Sequence, residues 1–146
     1  MKKIAFIILL VTSPIYAGEY VLMDQSDSQA LVEQCSRDAP EIEGSWSPSK
    51  AEIEELEANL QKLKEIDATG CCGSGKLEGD PTHYYRQYVG IIFKGKKYIY
   101  INSISDGWHG SKRVPQIVCD GGKSFWGALY DPSIKKFSNL AFNGEA

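Results

Sequence analysis

The chain has 146 residues, of which 42% are hydrophobic and 24% charged, and its 19 acidic against 16 basic residues give a formal net charge of −3. That length supports one domain with a real core, since bodies of roughly 100–150 residues bury about two-thirds of their unfolded surface. The acidic balance disfavours a generic nucleic-acid or anionic-membrane binder, because phosphate recognition draws on clustered Lys and Arg.

Lys2 and Lys3 precede an apolar run from Ile4 to Val11, and Ala17 follows through Thr12, Ser13, Pro14, Ile15 and Tyr16. This is the pattern of a cleavable signal peptide over residues 1–17: a basic start, an apolar run too short to cross a bilayer, and a small residue at the cut. Ile15 is larger than the ideal residue at that position. Gly18 rather than Cys follows the cut, and no second long apolar run exists, so neither a lipid anchor nor a membrane span is expected. The predicted location is periplasmic or secreted. Loss of Lys2 and Lys3 with the signal takes the net charge from −3 to −5.

Residues 18–44 are polar and acidic with scattered apolar positions, and read as a partly irregular arm with at most a short helix from Ser28 to Cys35. Ser47 as N-cap, Pro48 in the first turn and Glu52, Glu54 and Glu55 near the positive end of the dipole predict a helix over 48–65. Its apolar stripe is Ile53, Leu56, Leu60 and Leu63, with Lys62 and Lys64 near the negative end. Residues 68–81 are Gly-rich and read as a loop. Two runs follow, Tyr84 to Phe93 and Tyr98 to Ile101, joined through Lys94-Gly95-Lys96, the signature of an antiparallel hairpin. A loop over 105–113 leads to a predicted strand from Val114 to Cys119 and a turn at Asp120-Gly121-Gly122. The last two strands, Phe125 to Tyr130 and Phe137 to Phe142, are joined by Asp131-Pro132-Ser133, whose Asp and Pro favour turns. The expected fold is α+β: one N-terminal amphipathic helix packed on an antiparallel meander of about four strands, a single domain over 45–146.

Four cysteines, Cys35, Cys71, Cys72 and Cys119, in an exported chain predict a disulfide framework with three formal connectivities. A bond between the neighbours Cys71 and Cys72 is strained, so the expectation is that Cys35 pairs with one of them and Cys119 with the other. A metal site is not expected, because the vicinal pair lacks the two-residue ligand spacing and no His stands in register.

The inventory for catalysis is thin. His83 and His109 are the two histidines. Ser47 to Lys50 and Ser133 to Lys136 match the spacing of an acylating serine without its companion motifs, and Gly122-Lys123-Ser124 lacks the upstream glycine of a phosphate loop. Glu78, Asp80, Asp106 and Asp120 are loop acids that nothing in the sequence holds at a defined separation, and no calcium loop occurs. No cofactor is expected. More distinctive is Asp106-Gly107-Trp108-His109-Gly110, which frames a large amphipathic ring with glycines and offers an anchor for a protein partner. Tyr84, Tyr85, Tyr88, Tyr98 and Tyr100 suggest a tyrosine-lined sheet surface.

Cys119-Asp120-Gly121-Gly122 with Phe125-Trp126-Gly127, Tyr130-Asp131, Phe137 and Phe142-Asn143-Gly144 resembles the tail of small exported proteins of unknown function from Gram-negative bacteria. Tyr84-Tyr85-Arg86-Gln87-Tyr88 is similar to an upstream block of the same group. The resemblance implies no activity. A helix followed by a meander also resembles cystatin-like architecture, a scaffold often used for inhibitors and ligand binding, at the level of fold alone. The function expected is a non-catalytic binding protein of the inhibitor or immunity class, acting on a secreted or envelope hydrolase or toxin. Asp106 and Trp108 are its expected anchors, with His109 and Tyr85 at the edge. The alternatives are a small envelope hydrolase using His109 with Asp106 or Asp120, and a structural subunit of an envelope assembly.

Overall fold

The computed structural model describes residues 19–105 and 113–146. The expected signal peptide lies outside the described residues, as do Asp106, Trp108 and His109. The frame begins with the longest hairpin, β3 (Tyr85–Phe93) and β4 (Lys96–Ile104), paired in register from Tyr85↔Ile104 to Phe93↔Lys96. Its turn needs left-handed backbone at both central positions, and Lys94 (φ 50°) and Gly95 (φ 71°) provide it. β5 (Trp126–Asp131) and β6 (Lys136–Phe142) extend the sheet antiparallel beyond β4. At their turn Asp131 Oδ1 accepts from the Ser133 amide at 2.8 Å and its hydroxyl at 2.6 Å.

The other edge of β3 is covered by two three-residue strands from the N-terminal stretch. β1 (Tyr20–Leu22) pairs parallel with Arg86 to Tyr88, and β2 (Gly44–Trp46) pairs antiparallel with Gly90 to Ile92. The expected meander of about four antiparallel strands under one helix is therefore corrected. The described residues form a mixed α/β unit with six strands in one sheet and two short helices. The physical reason is the bare edge of β3, whose N–H and C=O groups need partners that 18–44 supplies.

The two faces are covered differently. α2 (Lys50–Asn59) and the 3-10 turns that continue it over Leu60–Glu65 lay Ile53, Leu56, Leu60 and Leu63 on Ile99, Ile101, Trp126, Ala128 and Phe142. Each buried leucine is worth about 1.5–3 kcal/mol relative to exposure. The opposite face, with Val89, Ile91, Tyr100 and Leu129, is covered by Met23 and by Leu31 and Val32 of α1 (Ser28–Val32). α2 starts later than the sequence suggests. Ser49, not Ser47, is the N-cap: its hydroxyl accepts from the Glu52 amide at 3.3 Å and its amide donates to Glu52 Oε2 at 2.7 Å, a capping box.

Pro48 lies before the helix, because β2 must first cross β3 at Gly90. A Cβ at Gly90 would stand 2.2 Å from the Trp46 carbonyl oxygen and 2.9 Å from Pro48 Cδ. Gly90→Ala should therefore lower stability by about 2 kcal/mol or more, since backbone has to move. A urea midpoint within error of the parent would show that β2 does not lie this close.

All four cysteines are bonded, but not as expected. Cys35 joins Cys119 across 84 residues of sequence, and Cys71 joins its neighbour Cys72. The fold decides this: Cys35 follows α1 and Cys119 ends the segment packed beside it, so they meet and the neighbours Cys71 and Cys72 are left to each other. Two disulfides indicate an oxidising, non-cytoplasmic location. No helix among the described residues is long and apolar enough to cross a membrane.

Candidate functional site

The segment 113–119 is not the strand its Val and Ile content suggests. β4 already has β3 on one edge and β5 on the other, so no backbone edge near it is free, and Pro115 removes a donor. The segment lies instead over the end of the sheet face that carries Gln87 and Asn102, which are paired across β3 and β4. There its backbone is satisfied by side-chain amides. Gln87 Nε2 donates to the Val114 carbonyl at 2.8 Å, and Gln87 Oε1 accepts from the Gln116 amide at 3.0 Å. The Gln116 carbonyl accepts from Asn102 Nδ2 at 2.9 Å and from Gln34 Nε2 at 3.0 Å. The Val118 amide donates to Gln34 Oε1 at 3.2 Å, and Asn143 Nδ2 donates to the carbonyls of Val118 at 2.6 Å and Asp120 at 3.1 Å.

Four amide side chains thus do for this segment what a neighbouring strand does elsewhere. Gln87 is 0% and Asn102 2% exposed, so these hydrogen bonds are shielded from water and costly to leave unmade. The Cys35–Cys119 bond fastens the far end, and Gly121 at φ 96° and Gly122 at φ 54° reverse the chain behind it. The clamp turns two apolar side chains outward: Val114 is 54% and Ile117 50% exposed. An exposed aliphatic pair on a backbone held this firmly is pre-ordered for contact, because docking it costs little further conformational entropy.

Tyr85 stands at the same end of the sheet, opposite Ile104 and half-buried. Burial raises its pKa, and the charge of Arg113 works against that rise. Of the expected partner-binding residues it is the one among the described residues, where it adjoins the start of the clamped segment. The other tyrosines do not make one surface. Tyr88 is buried on the α2 face, Tyr100 on the α1 face, and Tyr84 packs edge-on to Trp126 at 5.7 Å.

The residues weighed for catalysis are dispersed. Asp120 is exposed in the turn after Cys119. His83 is exposed, with Nε2 3.9 Å from Asp80 Oδ2. Hydrogen bonds from the Thr82 hydroxyl and amide hold the Asp80 carboxyl below its usual range. Both line an open cleft of about 400 Å³ with Ser105 and Ser124, and among the described residues no hydrogen bond joins either serine to His83. No group of three His, Cys, Asp or Glu side chains there could hold a metal ion.

Two polar features had no signal in the sequence. Arg86, 0% exposed, donates to Glu57 through Nε at 3.1 Å and Nη2 at 2.9 Å, and through Nη1 to the carbonyls of Pro81, Thr82 and Tyr84. The Tyr88 hydroxyl donates to the same carboxylate. This network ties α2 to β3 and faces away from the clamped segment. The second feature is Arg37, buried on the α1 face, whose Nη2 donates to Asn102 Oδ1. A scan against protein-family models, a search of curated proteins and a search of solved structures each find no match to this chain.

Proposed function

We propose that the chain is an exported, non-catalytic binding protein of the inhibitor or immunity class. It acts in the periplasm or outside the cell, reached through the signal peptide of residues 1–17, on a secreted or envelope hydrolase or toxin. The observation that carries this reading is the amide-clamped, disulfide-fastened segment 113–119, which presents Val114 and Ile117 to solvent on fixed backbone. Rigid loops of this kind bind well because their order is established before the partner arrives. Asp106, Trp108 and His109 immediately precede this segment in sequence, and Tyr85 stands at the end of the sheet that it covers.

The test is titration of the oxidised mature chain against purified peptidoglycan hydrolases, peptidases, nucleases and phospholipases of the envelope. One class should be bound and inhibited at one-to-one stoichiometry. Ile117→Asp should weaken that complex about 30-fold, some 2 kcal/mol, with the unfolding midpoint unchanged because the side chain is half exposed. Turnover of a cell-wall or lipid substrate by the chain alone, lost in His109→Ala, would instead establish the hydrolase alternative.

A further inference from the structure

The two disulfides are unequal in what they hold. Cys35–Cys119 joins residues 84 apart in sequence, whereas Cys71–Cys72 spans a single peptide bond. The loop around the short bond is already closed without it. Asp67 and Lys76 form an antiparallel bridge, the Ala68 amide donates to the Gly75 carbonyl at 2.8 Å, and Lys76 Nζ donates to the Glu65 carbonyl at 3.0 Å. Other residues also seat this loop on β6: the Thr69 amide donates to the Leu140 carbonyl at 2.7 Å, and a Cβ on Gly73 would lie 2.9 Å from Phe142 Cβ. A cross-link that neither restricts the unfolded chain over a long span nor anchors the loop adds little to folding.

Folding and reduction are linked, so whatever a bond adds to the stability of the fold, the fold adds to that bond's resistance to reduction. Cys35–Cys119 is defended in this way by the stability of the domain, and Cys71–Cys72 by almost none of it. Cys35, Cys71 and Cys119 are exposed and Cys72 is half-buried, so a thiol can reach both bonds. Linkage rather than access decides which one opens.

We propose that Cys71–Cys72 is a thiol–disulfide exchange site, reduced by a protein dithiol of the Cys-x-x-Cys class while Cys35–Cys119 stays closed. The first thiolate of the reductant bonds to the sulfur of the exposed Cys71. The Cys71–Cys72 S–S bond breaks, and its electron pair leaves on Cys72, which takes a proton. The second thiolate of the reductant then bonds to the sulfur of the first, and the electron pair of the mixed disulfide leaves on Cys71, which is protonated in turn. In sum two electrons and two protons pass to the pair, and the reductant ends as its own internal disulfide. The docking role of 113–119 is untouched by this exchange, because the bond that fastens that segment is the one that stays closed.

The oxidised chain is equilibrated with reduced and oxidised dithiothreitol at graded ratios, alkylated with iodoacetamide and mapped by peptide mass. Cys71 and Cys72 should be half alkylated at a ratio of reduced to oxidised reagent at least about 100-fold lower than Cys35 and Cys119 require. With only the first pair open, the near-ultraviolet circular dichroism of the fold should persist. In a second arm, one equivalent of a reduced Cys-x-x-Cys oxidoreductase should be oxidised by the chain and leave Cys71 and Cys72, but not Cys35 and Cys119, open to alkylation. Both bonds opening at the same ratio, Cys35–Cys119 opening first, loss of the folded signal with the first pair, or no alkylation of Cys71 and Cys72 after the protein dithiol would each overturn the proposal.

Discussion

Glu57→Ala should lower the unfolding free energy by about 3–5 kcal/mol, the cost of stripping the partner from a buried charge. The side chain of Arg86 is 0% exposed and that of Glu57 17%, so the guanidinium left behind has no route to water without opening the contact between α2 and β3. Its three backbone acceptors, the carbonyls of Pro81, Thr82 and Tyr84, remain but carry no net charge. The Tyr88 hydroxyl, whose pKa burial pushes well above the usual value, loses its acceptor at the same time. Chemical unfolding of the parent and variant measures this directly. A second variant separates pairing from packing: Glu57→Leu combined with Arg86→Met removes both charges and should recover most of the loss, as apolar replacement of buried pairs commonly does. A loss below about 1 kcal/mol in Glu57→Ala would mean that Arg86 reaches solvent.

Removing the long disulfide should cost a similar amount by a different route. Cys35 and Cys119 are 84 residues apart, and closing a loop of that length stabilises by roughly 4–5 kcal/mol in the chain-entropy account. Cys35→Ser with Cys119→Ser should therefore lower the unfolding midpoint strongly, and should loosen 113–119 first because its far end is then held only by the side-chain amides of Gln34 and Asn143. Cys71→Ser with Cys72→Ser closes no long loop and should change global stability by well under 1 kcal/mol. Equal losses in the two double variants would contradict this assignment of the bonds.

The legible part of the fold is the part that local pattern dictates. Ile53, Leu56, Leu60 and Leu63 recur at helical spacing and all four are buried on one face of the sheet. The alternation and turn residues of 84–101 and 125–142 mark the two hairpins, and β3 with β4 and β5 with β6 pair accordingly. What the sequence conceals is non-local. Tyr20–Leu22 and Gly44–Trp46 are three residues each, and they are strands because β3 offers an open edge, a fact no window on those residues contains. Val114 to Cys119 reads as a strand on composition, yet both edges of β4 are taken, so it becomes a segment tied down by amides from four distant positions. Gln34, Gln87, Asn102 and Asn143 look like ordinary polar residues until the fold gathers them. Cys71 pairing with Cys72 follows from Cys35 meeting Cys119, a contact across most of the chain. Arg37 and Gly127 carry no motif, and only the fold brings the Arg37 guanidinium so near Gly127 that a Cβ there would lie 3.1 Å from its Cζ and Nε.

Hydrogen exchange at the Gln116 and Val118 amides tests most directly whether 113–119 is a rigid, pre-ordered docking edge. Both amides donate to buried or half-buried glutamine side chains, Gln87 and Gln34, rather than to a strand. In the oxidised parent they should exchange at least about 100-fold more slowly than in an unstructured chain, and Gln87→Ala should release Gln116 while the amides of β4 stay protected. Exchange of both at the free-chain rate in the parent would contradict the account, since Val114 and Ile117 would then stand on backbone that is not held.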